Sequence, residues 1–307
     1  LVSGTVRQHD RFQPVSFGRI AFAVKSSLQN HVALKRVYLR TNKILFRMKK
    51  TILISLALFS TLTIWFTCSN CRAIKRDTNS RPVSHEMWDA LVSKHVQADG
   101  LVDYKGFIRD SNDLNQYLKL LESAHPNDKN WTRNEQMAYW INAYNAYTIK
   151  LIIKYYPIKS IKDIGSNIQI PFVNTPWDIK FIMIGKEKMD LNNIEHGNLR
   201  KKFDDPRVHM ALVCASKSCP ILLNEAYDAK RLDDQFTKQT KAFLADPFRN
   251  KLSPSKPQLS MIFKWYGMDF NKNGGSVRDF VNKYSDVKIK PDAKISHVDY
   301  DWGLNEQ

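Results

Sequence analysis

The sequence predicts a helix-rich α+β fold with a small, mostly antiparallel sheet, built as a single domain over residues 84–307. Three observations carry that prediction. Apolar residues recur at helical spacing through most of the region, whereas strand patterns are short and few. The two kinds of element do not alternate regularly, as a doubly wound parallel sheet would require. No internal repeat and no clear Pro, Gly or Ser break divides these roughly 225 residues, a length that suits one core.

The elements follow in order. SHEMWDALVSKHV places Met87, Leu91 and Val92 at helical spacing behind a Ser84 cap. DLNQYLKLLES repeats the pattern. WTRNEQMAYWINAYNAYTIKLIIKYY is the strongest helix in the chain, opened by Thr132 and Glu135 in capping-box spacing and ended by Pro157. Ile179 to Ile184 and Glu187 to Leu191 read as strands joined by the two-residue turn Gly185-Lys186. DLNNIEHGNLRKKF returns to helix, VHMALVCA reads as a buried strand, and DAKRLDDQFTKQTKAFL is an amphipathic helix. LSMIFKWYGMDF and SVRDFVNKY follow as helices, and Val298, Tyr300 and Trp302 alternate as in a late strand.

Composition places this domain behind a leader. The 307 residues are 43% hydrophobic and 25% charged, with a net charge of +17, a globular balance rather than a disordered one. Most of the positive charge lies in residues 1–76, where Asp10 is the only acid. The body is only mildly basic and has no aromatic-basic stripe, so no nucleic-acid partner is expected. In MKKTILISLALFSTLTIWFTC a short positive head precedes an apolar run of about sixteen residues, the layout of a secretory signal peptide and short for a bilayer span. Residues 48–68 are therefore expected to be a signal peptide, with an uncleaved anchor as the rival. Residues 69–83 are read as a polar linker. Cys68 sits where a lipoprotein would be cut and lipidated, although Trp65, Phe66 and Thr67 are bulkier than such a site prefers. Residues 1–47 are expected to be an upstream extension, untranslated or non-native, ahead of a start at Met48; an Arg-rich, acid-poor transit peptide is the alternative. The expected location is exported, either periplasmic or membrane-anchored through lipid.

The chemistry-bearing residues cluster in the middle of the body. Asn142 and Asn145 stand three apart on a helix that is apolar nearly all round, so their amides must find buried partners. Glu135 is explained by the capping box and is also a candidate to orient an imidazole. His196, Leu199 and Phe203 share one helical stripe, which turns His196 toward the core, and Glu195 lies about 100° round the helix from it. In DPRVHMALVCASKSCP a regular strand from Val208 would set His209 on one face and Cys214 on the other. That makes His196, arriving from another element, an equally good partner for Cys214. Cys219 precedes Pro220.

Together these blocks resemble the bacterial and plant family known as domain of unknown function 547. The matching stretches are EQMAYWINAYNAYTIKLI, LNNIEHGNLR, DPRVHMALVCASKSCPILLNEAY, IFKWYGMDF and HVDYDWGLN, spanning roughly residues 84–303. Glu135, Trp140, Asn142, Asn145, Glu195, His196, His209, Cys214, Cys219 and Pro220 fall where the family pattern has them. Bacterial members are commonly envelope proteins, which agrees with the leader. The resemblance implies a domain without an assigned activity. A set of Glu, His and Cys suggests a thiol hydrolase with a papain- or transglutaminase-like core.

Two functional expectations follow. In the first, Cys214 is the nucleophile of a hydrolase or transferase acting on amide or ester bonds, His196 or His209 is the base, Glu135 or Glu195 orients the imidazole, and Asn142 or Asn145 donates to the oxyanion. In the second, Cys214 and Cys219 form a disulfide in a non-catalytic envelope binding domain, as an oxidising compartment allows. His196, His209, Cys214 and Cys219 are ligand types that suit zinc, but their spacing matches no familiar signature, so no metal and no cofactor is expected. The expected partners are an envelope substrate or ligand and, through a lipid on Cys68, the membrane.

Overall fold

The computed structural model describes residues 79–165 and 175–307. The expected upstream extension, the expected signal peptide at 48–68, Cys68 and most of the expected linker lie outside the described residues. No helix among the described residues is long and apolar enough to cross a membrane.

Helices dominate, as the sequence predicts. The first three are α1 (Glu86–His95), α2 (Tyr104–Arg109) and α3 (Ser111–Glu122). They pack around the long α4 (Arg133–Tyr155), whose capping box forms as read: the Glu135 N–H donates to Thr132 Oγ1, and the Thr132 N–H donates to Glu135 Oε2. Ser84 accepts from the Glu86 N–H, so it caps the start of α1 one residue ahead of the helix-flanking His85. Trp140, Ile141, Ala143 and Ile152 of α4 are fully buried, and with Trp88, Phe107, Leu114 and Leu121 they form the main core.

The hairpin is present and shorter than its sequence pattern. Strands β1 (Ile182–Ile184) and β2 (Glu187–Met189) pair antiparallel, with Ile182 opposite Met189. The turn residues Gly185 and Lys186 both have positive φ, the geometry that a tight two-residue hairpin demands. The rest of the sheet differs from expectation. A second two-stranded unit pairs β3 (Gln258–Leu259) with β4 (Ser296–His297) in parallel, so the sheets are two separate small pairs rather than one mostly antiparallel sheet.

Two further segments depart from their predicted form. DLNNIEHGNLRKKF is a π-helix over Asn193–Leu199 that runs into the short α5 (Arg200–Lys202), with the Arg200 N–H donating to the Glu195 carbonyl five residues back. VHMALVCA is not a strand. Pro206–Met210 forms a 3₁₀ turn started by Pro206 and by Asp205, whose carboxylate accepts from the Arg207 N–H. Residues 211–214 then run on without a strand partner, and the Val213 N–H donates to the Asn145 side chain, where a sheet ladder would otherwise supply the acceptor.

The C-terminal part builds a second core. Helix α6 (Leu232–Ala245) is followed by α7 (Ile262–Trp265), α8 (Gly267–Phe270) and α9 (Val277–Tyr284), so the predicted helix LSMIFKWYGMDF is broken in two after Trp265. Phe243, Phe263, Phe270, Phe280 and Val281 pack with Met210 into this cluster. Cys214 rests against the main core and Tyr300 against the second one. The candidate site therefore lies where the two cores meet.

Candidate functional site: a thiol cleft

The segment carrying Cys214 is fixed by side chains. Asn145 on α4 donates through Nδ2 to the Ala211 carbonyl and accepts from the Val213 N–H, both at 3.0 Å. Ala215 follows with φ of 60°, the left-handed region that costs a residue with a Cβ roughly 1–2 kcal/mol. That turn reverses the chain so that Cys219 returns onto Cys214. From the other side, Lys217 donates its N–H to the Gly303 carbonyl and Ser218 donates to the Asp301 carbonyl, which ties the C-terminal segment to the cysteine loop. The same pairing delivers Tyr300 to the sulfur.

Around Cys214 three groups converge on one atom. Its Sγ lies 2.6 Å from Cys219 Sγ, 3.2 Å from Ser216 Oγ and 3.3 Å from Tyr300 Oη. Both thiols are free, Cys214 partly exposed and Cys219 buried. The Cys214 thiol is pushed down to about 7, first by the hydrogen bond from the Cys219 thiol and then by those from Ser216 and Tyr300, against the opposing effect of burial. Burial pushes the Cys219 thiol well up, and the neighbouring Cys214 sulfur adds to it. A proton on Cys219 and a thiolate on Cys214 is the arrangement these bonds favour.

The sulfur opens into a cleft of about 320 Å³. Trp177, Trp265, Trp302 and Tyr266 line it together with Glu195, His196 and His209. His209 is buried, stacks on Tyr266 with ring centres 4.0 Å apart, and bonds through Nε2 to Asp269 Oδ2 at 2.8 Å. Burial alone would raise the Asp269 carboxyl, but the bonds from His209 and Arg200 overcome it and hold the group well below the usual carboxylate range. Arg200 links the Asp269 carboxylate to the second imidazole, donating to Asp269 at 2.5 Å and sitting 2.9 Å from His196 Nδ1. Glu195 is buried, and burial followed by the charge of its carboxylate pushes the Tyr266 hydroxyl well up.

The structure separates the sequence candidates. Cys214, Cys219, Glu195, His196 and His209 come together on one cleft, and Glu135 does not. Glu135 serves the α4 cap and lines a different groove beside His85 and Tyr227. Asn142 and Asn145 each hold backbone: Asn142 donates to the Tyr227 carbonyl and accepts from the Tyr227 N–H, as Asn145 does with residues 211 and 213. Neither asparagine lines the Cys214 cleft. His196 is not core-facing, since its side chain is 46% exposed while Glu195 next to it is buried. The π turn explains this, because a wider helix moves positions 196, 199 and 203 off a common stripe. Without a regular strand, His209 is not confined to the face opposite Cys214. Among the described residues no imidazole hydrogen-bonds the Cys214 sulfur, and no group of three or more His, Cys, Asp or Glu is arranged to hold a metal.

Several site residues went unread in the sequence as chemistry. Tyr300 entered only as part of a strand alternation, and Asp269 lay unremarked in the block IFKWYGMDF. Ser216, two residues from Cys214 and fully buried beside it, carried no signal apart from that proximity.

Fold and site together define a helix-rich α+β protein with a paired-thiol cleft beside a carboxylate-held histidine. Residues 129–244 match the model of the family described as protein of unknown function, DUF547, which supports the resemblance drawn from the sequence blocks. The matched stretch contains α4, the hairpin, Glu195, His196, His209 and both cysteines, and it ends before Asp269 and Tyr300. No curated protein and no solved structure matches the chain.

Proposed function

We propose that the protein is an exported, thiol-dependent hydrolase or transferase acting on amide or ester bonds of the cell envelope. One observation carries this reading: a partly exposed Cys214, with its thiol pushed down to about 7, opens on the same cleft as the His209–Asp269 pair. A thiol lowered in this way reaches its thiolate far more readily than an ordinary cysteine, so attack needs no base in direct contact with the sulfur. The thiolate adds to the carbonyl carbon, and the Ser216 and Tyr300 hydroxyls beside the sulfur are the nearest donors for the developing oxyanion. His209, with Nε2 engaged by Asp269, keeps Nδ1 for moving a proton to or from the leaving group. Asp269 takes the orienting role that the sequence offered to Glu135 or Glu195, while Glu195 braces Tyr266. The cysteine, imidazole and carboxylate set is what this reading shares with papain- and transglutaminase-type enzymes. Export rests on the leader at residues 48–68, with lipid on Cys68 as the membrane attachment.

The test is a burst experiment with an activated aryl ester on the reduced protein. The expected result is a stoichiometric burst and an acyl adduct mapped to Cys214, abolished in Cys214→Ala and slowed in His209→Ala at the deacylation step. A thiol that alkylates readily yet never carries acyl refutes the reading. Fractionation of cells producing the full chain tests export, and cytosolic recovery with an intact leader refutes it.

The binding-domain reading has its own support in the 2.6 Å approach of the two sulfurs. Isolation of the protein entirely as a Cys214–Cys219 disulfide that mild reductant leaves intact, read by intact mass, would favour it.

A further inference from the structure

The acyl-transfer reading gives Cys219 no step of its own, yet the fold takes care to place it. Its sulfur is buried 2.6 Å from Cys214 Sγ and accepts from the Cys214 N–H at 2.9 Å. Its backbone is clamped as well. Arg249 on the segment after α6 donates through Nε to the Cys219 carbonyl at 2.6 Å and through its second terminal nitrogen to the Lys217 carbonyl at 2.7 Å, and the Cys219 N–H donates to the Ser216 carbonyl. The left-handed Ala215 makes the return possible. The outcome is asymmetric. Both cysteines line a cleft walled by Trp177, Trp265 and Trp302, but Cys214 is partly exposed there whereas Cys219 is buried against it.

We infer that Cys214 and Cys219 form a thiol–disulfide exchange pair, with Cys214 attacking an accessible disulfide held in the aromatic cleft and Cys219 resolving the mixed disulfide. A purely structural disulfide needs no sulfur open to a cleft, and a purely hydrolytic cysteine needs no buried second thiol in contact with it. The proton preference of the two sulfurs agrees with this order, since the thiolate is favoured on the exposed one.

The chemistry balances. The Cys214 thiolate attacks one sulfur of a disulfide R–S–S–R, the S–S bond breaks, and the departing thiolate takes a proton from solvent. The Cys219 thiol then loses its proton, attacks the Cys214 sulfur of the mixed disulfide and expels the second thiol. Two electrons pass from the cysteine pair to the substrate, leaving the Cys214–Cys219 disulfide and two thiols. Return to the starting state requires an external dithiol reductant.

Glutathione disulfide is the probe. Reduced protein is expected to release two equivalents of glutathione per chain and to finish as the intramolecular disulfide, with no lasting adduct. Cys219→Ser should stop at the first step and hold one glutathione on Cys214, and Cys219→Ala should give the same trapped adduct should the serine variant fold poorly. Cys214→Ser should do neither. The inference is overturned if the wild-type protein keeps the adduct, if it does not react, or if the first adduct maps to Cys219. This proposal and the acyl-transfer reading fail separately, because an ester-derived adduct on Cys214 and glutathione release are independent products of different probes.

Discussion

Asn145 and Asn142 offer a matched pair of perturbations, because each engages two backbone groups from within α4. In Asn145→Ala the Ala211 carbonyl and the Val213 N–H lose partners at 3.0 Å, and both residues are buried. Stranding a buried polar group costs about 1–3 kcal/mol, so the two together cost about 2–6 kcal/mol, toward the lower end where water can enter. For a domain of this size roughly 3 kcal/mol lowers Tm by about 6–12 °C. Asn142→Ala strands the Tyr227 carbonyl and N–H, at 2.8 and 2.9 Å, and should lower Tm by a similar amount. Their effects on the thiol should differ. Freeing residues 211–213 lets Cys214 drift from its three hydrogen-bonding partners and return toward an ordinary thiol, of which only about three parts in a hundred are thiolate at pH 7. Iodoacetamide labelling at pH 7 should therefore slow severalfold, by up to roughly fifteenfold, in Asn145→Ala and stay near the wild-type rate in Asn142→Ala, measured well below either Tm. Equal slowing in both variants would refute the reasoning, since reactivity would then follow overall stability rather than the loop. An Asn145→Ala protein that melts and labels like wild type would refute it more directly.

The other predictions concern the thiol, the acid limb, the hairpin and the strained turn. Labelling of Cys214 against pH should rise with a midpoint near 7, and in Cys219→Ala the midpoint should move upward, because the bond from Cys219 is the first cause of the depression. Asp269 is held well below its ordinary range in the folded state, so its contribution is present above about pH 4 and is lost as pH falls through the lower folded value. Asp269→Asn should thus be less stable near neutrality and show a flatter acid limb, read by denaturant melts between about pH 2 and 5; an unchanged slope would show that the carboxylate does not couple to folding. Gly185→Ala should destabilise by about 1–3 kcal/mol, since the residue has φ of 55° and its new Cβ would lie 2.6 Å from His125 Cβ. Ala215→Gly should raise stability by up to about 1 kcal/mol while slowing thiol labelling, because it relaxes the turn that presses Cys219 onto Cys214.

Where hydrogen bonds are local the sequence was a good guide. The α4 capping box, the Gly185-Lys186 turn and the amphipathic helices are each determined by residues three or four apart, and each appears where the pattern places it. The failures all involve partners from elsewhere. VHMALVCA has the apolar content of a strand, yet Pro206 begins a tight turn and Asn145, some 68 residues away, accepts the hydrogen bond that a neighbouring strand would have taken. The His196 stripe was computed for 3.6 residues per turn, and one π turn was enough to turn that imidazole outward and Glu195 inward. LSMIFKWYGMDF has helical periodicity throughout, but the chain breaks after Trp265, a bend that places Tyr266 on His209 and Asp269 at its Nε2.

These departures share a physical origin that bears on how the cleft works. Regular helices and strands satisfy their own backbone, which leaves their side chains free but sets them at fixed intervals. The cysteine loop and the 300–304 segment instead have backbone groups satisfied from outside, by Asn145, Arg249 and each other. The six residues from 214 to 219 can then fold back tightly enough to bring two sulfurs and the Ser216 hydroxyl around one point, where Tyr300 joins them. The arrangement rests on rigid α4 at one side and on the Phe-rich second core at the other. Movement of one core against the other would separate Tyr300 from Cys214 while leaving Cys219 in place, because the two cysteines share a loop and the tyrosine does not. Tyr300→Phe is therefore the sharper probe of that junction: it should raise the labelling midpoint of Cys214 modestly, by less than Cys219→Ala does, while the Cys214–Cys219 exchange still runs to completion. A midpoint shift as large as that of Cys219→Ala would make the tyrosine, rather than the second thiol, the principal support of the thiolate.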